Sequence, residues 1–391
     1  YVVSCRLTIR MNALNGYIDD FIRPQRLTHA DIHIASHPLS RSFLGHKFAL
    51  TTFDGLKLSG YMLKHRMPHA GQRKCIVYSH SHSSNMMEGL PLLSYCESGG
   101  YSLVLYDSRG CGQSDSAEIT FGEKEKSDLA YVMLHALLLE DVGRFVLWGR
   151  SIGCCAVLRL MSELAQTKSA LVRRRSELID SKPFERVGGQ PHSYIQAQFN
   201  SFTAANPSIV MLADSMTLHV ESVVLDSPIK TVQCAVTQFV KSKIVNIDFV
   251  ASYASKYIQE YMSARLGAHV LASQNIDVVG YLDVCAVLVF PVADYFISAD
   301  DKTDMIKAVG NKAATKRAFK ALYIDEAHAE ARSGKTVGDI FDALRMHTHE
   351  QSAHKQLYIE NTHKLNIMKL SCVNFGERKP SLRSYNSVEL S

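Results

Sequence analysis

The segment Leu147–Ala156 constrains the fold of this chain more than any other. It reads as an apolar strand that ends at Gly149, then Ser151 flanked by glycines two residues away on each side, then a helix of small and apolar residues after Gly153. A serine on such a sharp turn requires glycine at both positions, because larger side chains there would collide with neighbouring backbone. The turn projects the Oγ atom of Ser151 above the carboxyl-terminal edge of a sheet. The segment therefore predicts a sheet whose strands are followed by helices.

Short runs of β-branched and aromatic residues recur along the chain, with helix-length segments between them. This alternation is typical of βαβ units, and so of an α/β protein with a mostly parallel central sheet and helices on both faces. The first two runs flank Asp54 and Gly55, a strong hairpin signal, so the sheet is expected to begin with an antiparallel pair. Helices are predicted at Asp128–Leu139, Cys154–Leu164 and Thr231–Lys241. The predicted strands are His46–Phe53, Leu56–Leu63, Lys74–His80, Ser102–Asp107, Arg144–Gly149, Val220–Asp226, Val287–Ser298 and Lys320–Asp325.

The composition excludes several classes of protein. Apolar residues make up 46% and charged residues 21% of the 391 residues, which excludes a disordered chain, a collagen and a disulfide-stabilised miniprotein. The net charge of +5 is too small for this length to indicate nucleic-acid binding. The nine cysteines contain no CxxC pair and are expected to be reduced thiols in a cytoplasmic protein. The most apolar stretch, Ala286–Ile297, contains Pro291 and Asp294, so no transmembrane segment is predicted.

Ser151 has the sequence surroundings of a catalytic nucleophile. The amide of Ile152 starts the following helix, whose N-terminus favours negative charge, so this amide is expected to bind an oxyanion. A second donor is expected in the loop after the third predicted strand, from the amide of His82 or, alternatively, from that of Ser81. His80 and His82 have no cysteine or carboxylate companion nearby in the sequence, so no metal site is predicted there.

A general base for Ser151 is expected later in the chain. Among the 17 histidines, His328 lies in a loop just past the predicted strand Lys320–Asp325, from which its side chain can reach back to the serine. The acid is expected at the end of the preceding strand, where Asp300 and Asp301 are the candidates. Asp301 is favoured because a residue further past the strand has more reach. The order serine, aspartate, histidine is that of an α/β-hydrolase triad.

Several further motifs follow one another in an order that is specific to one enzyme fold. Gly149–Gly153 forms a strand-turn-helix elbow, and His80–Asn85 is a polar loop after a strand. Together they resemble the serine-aminopeptidase-like branch of the α/β-hydrolases, cytosolic enzymes that include acyl-protein thioesterases. The resemblance implies an α/β-hydrolase fold and the triad Ser151, Asp301 and His328. The other matching segments are Phe21–Arg26, Asp107–Ser114, Phe121–Glu123, Asp128–Leu129, Leu225–Pro228, and His328 with Arg332.

The resemblance implies a serine hydrolase that cleaves a carboxylic ester or thioester, with an acylated protein as one candidate substrate. It implies neither a metal nor an organic cofactor, and it is compatible with peripheral contact with a membrane. Two alternatives stay open: a serine peptidase acting on short peptides, and a catalytically silent binding protein that retains the fold. The second is motivated by Ser81 and Ala329, which replace the family's usual glycine and asparagine. The acid loop is also one residue shorter than in the family, and Asp300 therefore stays open as the acid.

The ordered motifs also predict the domain organisation. One catalytic domain is expected at residues 41–345, between an N-terminal extension at 1–40 and a polar tail at 346–391. The interval 162–218 is longer than a connection between a helix and a strand requires, so it is interpreted as an insertion or lid after the elbow helix. Residues 1–10 are expected to be upstream sequence, with the functional chain starting at Met11.

Overall fold

A central sheet of nine strands organises the molecule. The computed structural model describes residues 15–350, except 17, 20, 33–37, 67–72, 181–206, 216–217, 242–247, 273–274, 281 and 311–318, and also residues 388–390. The strand order is β1-β2-β4-β3-β5-β6-β7-β8-β9. The strands are β1 (Phe43–Thr51), β2 (Lys57–His65), β3 (Arg73–Ser79), β4 (Ser102–Tyr106), β5 (Val142–Arg150), β6 (His219–Asp226), β7 (Cys285–Pro291), β8 (Phe319–Ile324) and β9 (Val388–Leu390).

The pairing of the strands confirms the predicted sheet. β1 and β2 are antiparallel, as are β2 and β4, whereas the pairs from β4 and β3 through to β7 and β8 are parallel. β9 adds a short antiparallel strand at the edge beside β8. The carboxyl ends of β3, β5, β6, β7 and β8 therefore meet at one edge of the sheet, where ligands bind in open α/β sheets.

Helices cover both faces of the sheet. Alternate residues of β3 enter different apolar clusters: Val77 packs in one cluster with α2, α3, α4 and α9, and Ile76 in another with α1 and α10. This burial on both faces explains the nearly continuous apolar runs of the central strands. A 3-10 helix, Met86–Leu92, precedes the first α-helix. The α-helices are α1 (Leu93–Gly99), α2 (Glu125–Leu139), α3 (Ile152–Asp180), α4 (Pro207–Asp214), α5 (Val232–Phe239), α6 (Asp248–Leu266), α7 (Ala268–Ala272), α8 (Asn275–Val279), α9 (Ala299–Gly310) and α10 (Gly334–Glu350).

Two predicted elements end far from the residues at which they were expected to end. The strand expected at Val287–Ser298 begins at Cys285 and ends at Pro291. The elbow helix continues to Asp180, well past the predicted end at Leu164. The predicted insertion therefore begins as helix, and its far end contributes α4, whose Ile209 and Leu212 are fully buried in the core. Its middle, residues 181–206, lies outside the described residues, and so do residues 1–10 of the N-terminal extension.

A third apolar cluster lies next to the carboxyl edge of the sheet. It joins α5 and α6 to Ile18 and Ile22 from the N-terminal region, and both isoleucines are buried. Part of the predicted N-terminal extension thus packs against the body of the protein. The seven cysteines that the structure describes are all unbridged. Within the described ranges, no helix combines the length and apolar character needed to cross a membrane.

Candidate active site

Ser151 lies on a strained turn between β5 and α3. Its backbone φ of +51° falls in the left-handed region, which residues other than glycine rarely adopt. The turn is held by two hydrogen bonds: the Ser151 amide donates to the carbonyl of Asp226 at 2.8 Å, and the Cys154 amide donates to the Ser151 carbonyl at 3.0 Å. A Cβ atom at Gly153 would lie 2.1 Å from the Ser79 carbonyl oxygen, so glycine is required there. The local sequence therefore forms the predicted elbow.

His328 faces Ser151 from the loop after β8. Its Nε2 atom lies 2.8 Å from Ser151 Oγ, within hydrogen-bond distance, and both residues are buried. The sequence placed these two residues together, although 177 positions separate them. The two side chains meet because β5 and β8 both end at the same edge of the sheet.

The carboxylate that contacts His328 is Asp294. Its Oδ2 atom lies 2.9 Å from His328 Nδ1, and the Asp294 side chain is completely buried. Its other oxygen, Oδ1, accepts hydrogen bonds from the backbone amides of Phe296 at 2.7 Å and Ile297 at 3.1 Å. These two amides fix the orientation of the carboxylate, so only Oδ2 is directed at the imidazole. Ser151, His328 and Asp294 therefore form one continuous hydrogen-bonded chain.

The expectation that Asp301 contacts His328 is corrected by this geometry. Asp301 lies in the first turn of α9, where its Oδ2 accepts from Ser298 Oγ at 2.7 Å while its own amide donates to Ser298 Oγ at 3.1 Å. This reciprocal pair is a helix-capping arrangement. Its Oδ1 atom also lies 3.4 Å from Lys230 Nζ, and Asp300 is exposed on the same turn. Asp294 was not among the sequence candidates, because the strand was expected to run through position 294.

The loop after β3, here called the oxyanion loop, contains His82 and Ser81, the two candidates for the second oxyanion donor. His82 Nε2 donates to the Phe21 carbonyl at 2.7 Å, since a carbonyl can only accept, and His82 Nδ1 then accepts from Ser83 Oγ at 2.6 Å. Burial lowers the pKa of His82, which keeps this imidazole neutral. The ring is thus engaged by the N-terminal region. The amide of Ser81, the alternative donor, is directed at Glu88, 3.3 Å from either carboxylate oxygen.

Both histidines of this loop make hydrogen bonds through both of their ring nitrogens. His80 Nδ1 lies 2.8 Å from the Ser81 carbonyl, and its Nε2 accepts from the Ser108 amide at 3.0 Å. Both ring nitrogens of His80 therefore contact backbone groups, whereas those of His82 contact the Phe21 carbonyl and the Ser83 hydroxyl. The imidazoles of this loop hold backbone in place.

A buried chain of four charged side chains, here called the arginine network, connects the loops around Ser151. It consists of Glu88, Arg150, Asp226 and Arg332. Arg150 Nη1 lies 3.3 Å from Glu88 Oε1, and its Nε lies 3.9 Å from Asp226 Oδ2. Arg332 donates to Asp226 through Nε at 3.0 Å and through Nη2 at 2.8 Å. Alternating charges compensate one another along this chain, as buried ions require.

The arginine network contacts the backbone of the loop after β8, here called the base loop because it contains His328, the predicted base. Arg150 Nη2 donates to the carbonyl of His328 at 3.1 Å and also to that of Glu330. Arg332 Nη1 donates to the carbonyl of Ala327 at 2.8 Å. On the other side, Glu88 accepts from the Ser81 hydroxyl at 2.6 Å and from Tyr78 Oη at 2.8 Å. The network thus links the oxyanion loop, the elbow and the base loop.

The charges of this network stabilise one another. Burial would raise the pKa of Glu88, but the charge of Arg150 and the hydrogen bond from Ser81 outweigh it and hold the pKa below its ordinary value. Burial would likewise lower the pKa of Arg150, but the carboxylates of Asp226 and Glu88 outweigh it and raise the pKa. Glu88 and Arg150 are therefore both charged at neutral pH. No sequence signal singled them out, because their partners are distant in the chain.

Aromatic side chains connect the oxyanion loop to the base loop. Phe21 stacks on His82 with ring centroids 4.5 Å apart, and on Phe239 at 5.7 Å. Phe239 stacks on Phe296 at 6.0 Å, and Phe296 contacts His328 at 4.8 Å. The three phenylalanines, here called the aromatic bridge, are only partly buried. They provide apolar surface between the two loops.

The predicted motif Asp107–Ser114 forms a rigid loop after β4. Asp107 accepts hydrogen bonds from the amides of Met86 and Gln113, each at 2.7 Å. Arg109 donates to both oxygens of the buried Asp128 at 2.6 Å. These contacts tie the start of α2 to the strand edge, so this motif has a structural role beside the site.

Comparison with known proteins gives the fold. No protein-family profile matches the sequence. An esterase from Pyrococcus furiosus is similar in structure, with a TM-score of 0.53 and 14% identity, over 83% of this chain and 98% of that chain. An α/β-hydrolase from Vibrio vulnificus gives a TM-score of 0.47 and 14% identity, over 86% of this chain and 91% of that chain.

The strand order, the elbow and the likeness to the Pyrococcus furiosus esterase confirm the predicted fold class. The chain has the α/β-hydrolase fold, with a mostly parallel sheet and antiparallel first strands. The structural likeness does not identify a branch within that superfamily. The relation to serine-aminopeptidase-like enzymes therefore stays a prediction from the motifs.

Proposed function

We propose that this protein is a serine hydrolase that cleaves carboxylic esters or thioesters. Ser151 is the nucleophile, His328 the general base and Asp294 the acid that orients it. The observation that carries the proposal is the hydrogen-bonded chain from Ser151 Oγ through His328 to Asp294, with 2.8 Å and 2.9 Å between its successive partners. Such a chain on a strained elbow is the arrangement that activates a serine hydroxyl.

The proposed mechanism proceeds through an acyl-enzyme. His328 Nε2 accepts the proton of Ser151 Oγ as this oxygen attacks the substrate carbonyl, while Asp294 stabilises the resulting imidazolium. The amides of Ile152 and His82 bind the oxyanion; the Ser81 amide is less suited because it is directed at Glu88. His328 then donates the proton to the leaving alcohol or thiol. A water molecule, deprotonated by His328, attacks the acyl carbonyl. The bond from this carbonyl to Ser151 Oγ breaks, His328 returns the proton to Oγ, and the carboxylic acid leaves.

Two features favour an ester or thioester over a peptide with a free N-terminus. Glu88 and Asp226, the carboxylates of the arginine network, are paired with Arg150 and Arg332, so neither is free to bind a peptide ammonium group. The aromatic bridge instead offers apolar surface to an acyl chain. An acylated protein, reached by peripheral contact with a membrane in the cytoplasm, is the finer substrate hypothesis that the motif resemblance adds.

Covalent labelling tests the proposed nucleophile. A fluorophosphonate probe is expected to add once to the wild-type protein and not to the Ser151→Ala variant, because only an activated serine attacks phosphorus at a useful rate. Intact-mass spectrometry measures the adduct. The exposed Ser94 gives the matched control, and Ser94→Ala should label like the wild type. A folded wild-type protein that takes no label would point to the silent binding protein, and label on Ser151→Ala would exclude this nucleophile.

The aromatic bridge predicts a preference for longer acyl chains. Replacing Phe296 by Ala is expected to lower kcat/KM for p-nitrophenyl octanoate about 10-fold, since roughly 50 Å² of apolar contact is lost, and to change that for the acetate less than about 3-fold. Phe53, 66% exposed in the β1–β2 turn, provides the control variant Phe53→Ala. Equal losses on acetate and octanoate would contradict this role of the bridge.

A further inference from the structure

Two histidines and a glutamate form a cluster remote from Ser151. His46 belongs to β1, His135 to the last turns of α2, and Glu140 follows that helix directly. One ring nitrogen from each histidine and one carboxylate oxygen lie within 4.8 Å of one another. Glu140 stands just before β5 and Ser151 just after it, so the nine residues of this strand separate the cluster from the nucleophile by roughly 30 Å. We call these three residues the edge cluster.

One atom of this cluster has no explanation within the protein. The Nε2 atom of His135 is buried and finds no hydrogen-bond partner among the described residues. The imidazole packs against the ring of Phe48, with centroids 4.4 Å apart, so packing holds it in place. Buried polar atoms in folded proteins almost always have a partner, so this nitrogen is available to a ligand from outside the described residues. A bound ion would provide a partner at this position.

The donor set selects the class of ion. Two imidazole nitrogens and one carboxylate suit Zn²⁺ and similar transition metal ions, whereas Mg²⁺ and Ca²⁺ prefer oxygen ligands. Three protein ligands leave a fourth position for water. Bonds of about 2.1 Å require tetrahedral donors to approach to about 3.4 Å. The His46 side chain, 47% exposed and 2.9 Å from Glu140 Oε1, can rotate to meet this requirement.

Some charges around the edge cluster oppose a bound cation and others favour it. Lys64 Nζ lies 3.3 Å from Glu140 Oε2, and its positive charge opposes a cation. The same contact orients the carboxylate so that Oε1 faces His46, as hydrogen bonds to outer oxygens do in metal sites. The C-terminal end of α2, at which Glu140 lies, carries partial negative charge that favours a cation. The ammonium group can also move to solvent, since the Lys64 side chain is partly exposed.

We propose that His46, His135 and Glu140 form a binding site for a divalent transition metal ion, of which Zn²⁺ is the representative. The ion links the C-terminal end of α2 to the outermost strand of the sheet. Because the site is remote from Ser151, the ion has a structural role, and metal binding stands independently of the proposed hydrolase activity.

Zinc binding is tested on the full chain, prepared without a histidine tag and freed of metal by a chelator. Equilibrium dialysis is expected to give one bound Zn²⁺ per chain, and Zn²⁺ in large excess over its Kd should raise the Tm by about 3 °C. Mg²⁺ at the same concentration should not change the Tm. His46→Ala is the main variant, because its exposed side chain contributes little to the core, and it should lose both effects.

Two further variants separate the site from nonspecific binding. His135→Leu, which fills the same space with an apolar side chain, should also lose the bound Zn²⁺ while the apo-protein keeps its fold. His219→Ala removes an exposed histidine outside the cluster and should bind Zn²⁺ like the wild type. The proposal is overturned if the wild-type chain binds no Zn²⁺, or if His46→Ala and His135→Leu bind it with unchanged stoichiometry and affinity.

Discussion

Replacement of Asp294 by asparagine is expected to lower kcat for p-nitrophenyl acetate by about 10⁴-fold, the size seen when a triad acid loses its charge. The amides of Phe296 and Ile297 donate to Asp294 Oδ1, so the asparagine oxygen will take that position. Its NH₂ group must then face His328 Nδ1. This nitrogen becomes an acceptor, which puts the imidazole proton on Nε2, and Nε2 can no longer accept the proton of Ser151.

The neighbouring acidic residues provide matched controls for this variant. Asp301→Asn weakens a helix cap and a contact with Lys230, so it should lower the free energy of unfolding by about 1 kcal/mol and change kcat less than about 3-fold. Asp300→Asn, on the exposed side of the same turn, should be close to neutral. Steady-state kinetics of the three variants decides between them. A loss for Asp301→Asn that exceeds the loss for Asp294→Asn would show that the acid has been assigned to the wrong residue.

The acid shows where sequence reasoning stops. Ser151 could be found because strand, turn and helix are consecutive in the chain, so their signals add in one short window. His328 could be found because a loop after a late parallel strand must lie at the same sheet edge. Asp294 depends on where β7 ends, and the apolar residues that continue past Pro291 hide this end. Pro291 was the sequence signal for the end of this strand, because proline has no N–H group to donate to a neighbouring strand.

The arginine network could not be predicted for a different reason. Arg150 is adjacent to Ser151, but its partners Glu88 and Asp226 are far from it in the sequence. The register of β5 and β6 places Asp226 beside Arg150, whereas Glu88 comes from the 3-10 helix Met86–Leu92. Asp226, Arg332 and Arg150 lie within motif segments, but no motif indicates which side chains they contact. Their side chains are only 1–11% exposed at one sheet edge, and this low exposure shows that their charges must compensate one another. Non-local pairing of this kind leaves no pattern in a single sequence.

The position of Arg150 suggests that it controls the alignment of Ser151 with His328. It directly precedes the nucleophile, and its Nη2 holds the carbonyl of His328 at 3.1 Å. Arg150→Lys keeps the positive charge but has one donor group in place of a planar fork, so it cannot bind Glu88 and the base loop together. We expect kcat to fall by about 10²-fold, because a displacement near 1 Å costs that much, with KM changed less than about 3-fold.

A buried arginine elsewhere in the same fold separates alignment from stability. Arg159 pairs with Glu123 and donates to the carbonyl of Val270 at 3.3 Å, so it makes the same types of contact without touching the loops of the triad. Arg159→Lys should lower the Tm about as much as Arg150→Lys does, yet leave kcat within about 3-fold of the wild type. Equal losses of kcat in both variants would mean that the arginine network serves stability alone.

A double substitution tests the same assignment from the opposite direction. Arg150→Met alone leaves Glu88 as an uncompensated buried charge, which should lower the free energy of unfolding by about 3–5 kcal/mol. Adding Glu88→Gln removes that charge and should restore most of the Tm. The double variant then has no uncompensated buried charge at Glu88, but it still lacks the hydrogen bond from Arg150 to the His328 carbonyl. We therefore expect the double variant to recover its stability and not its kcat, whereas a residue with only a structural role would recover both.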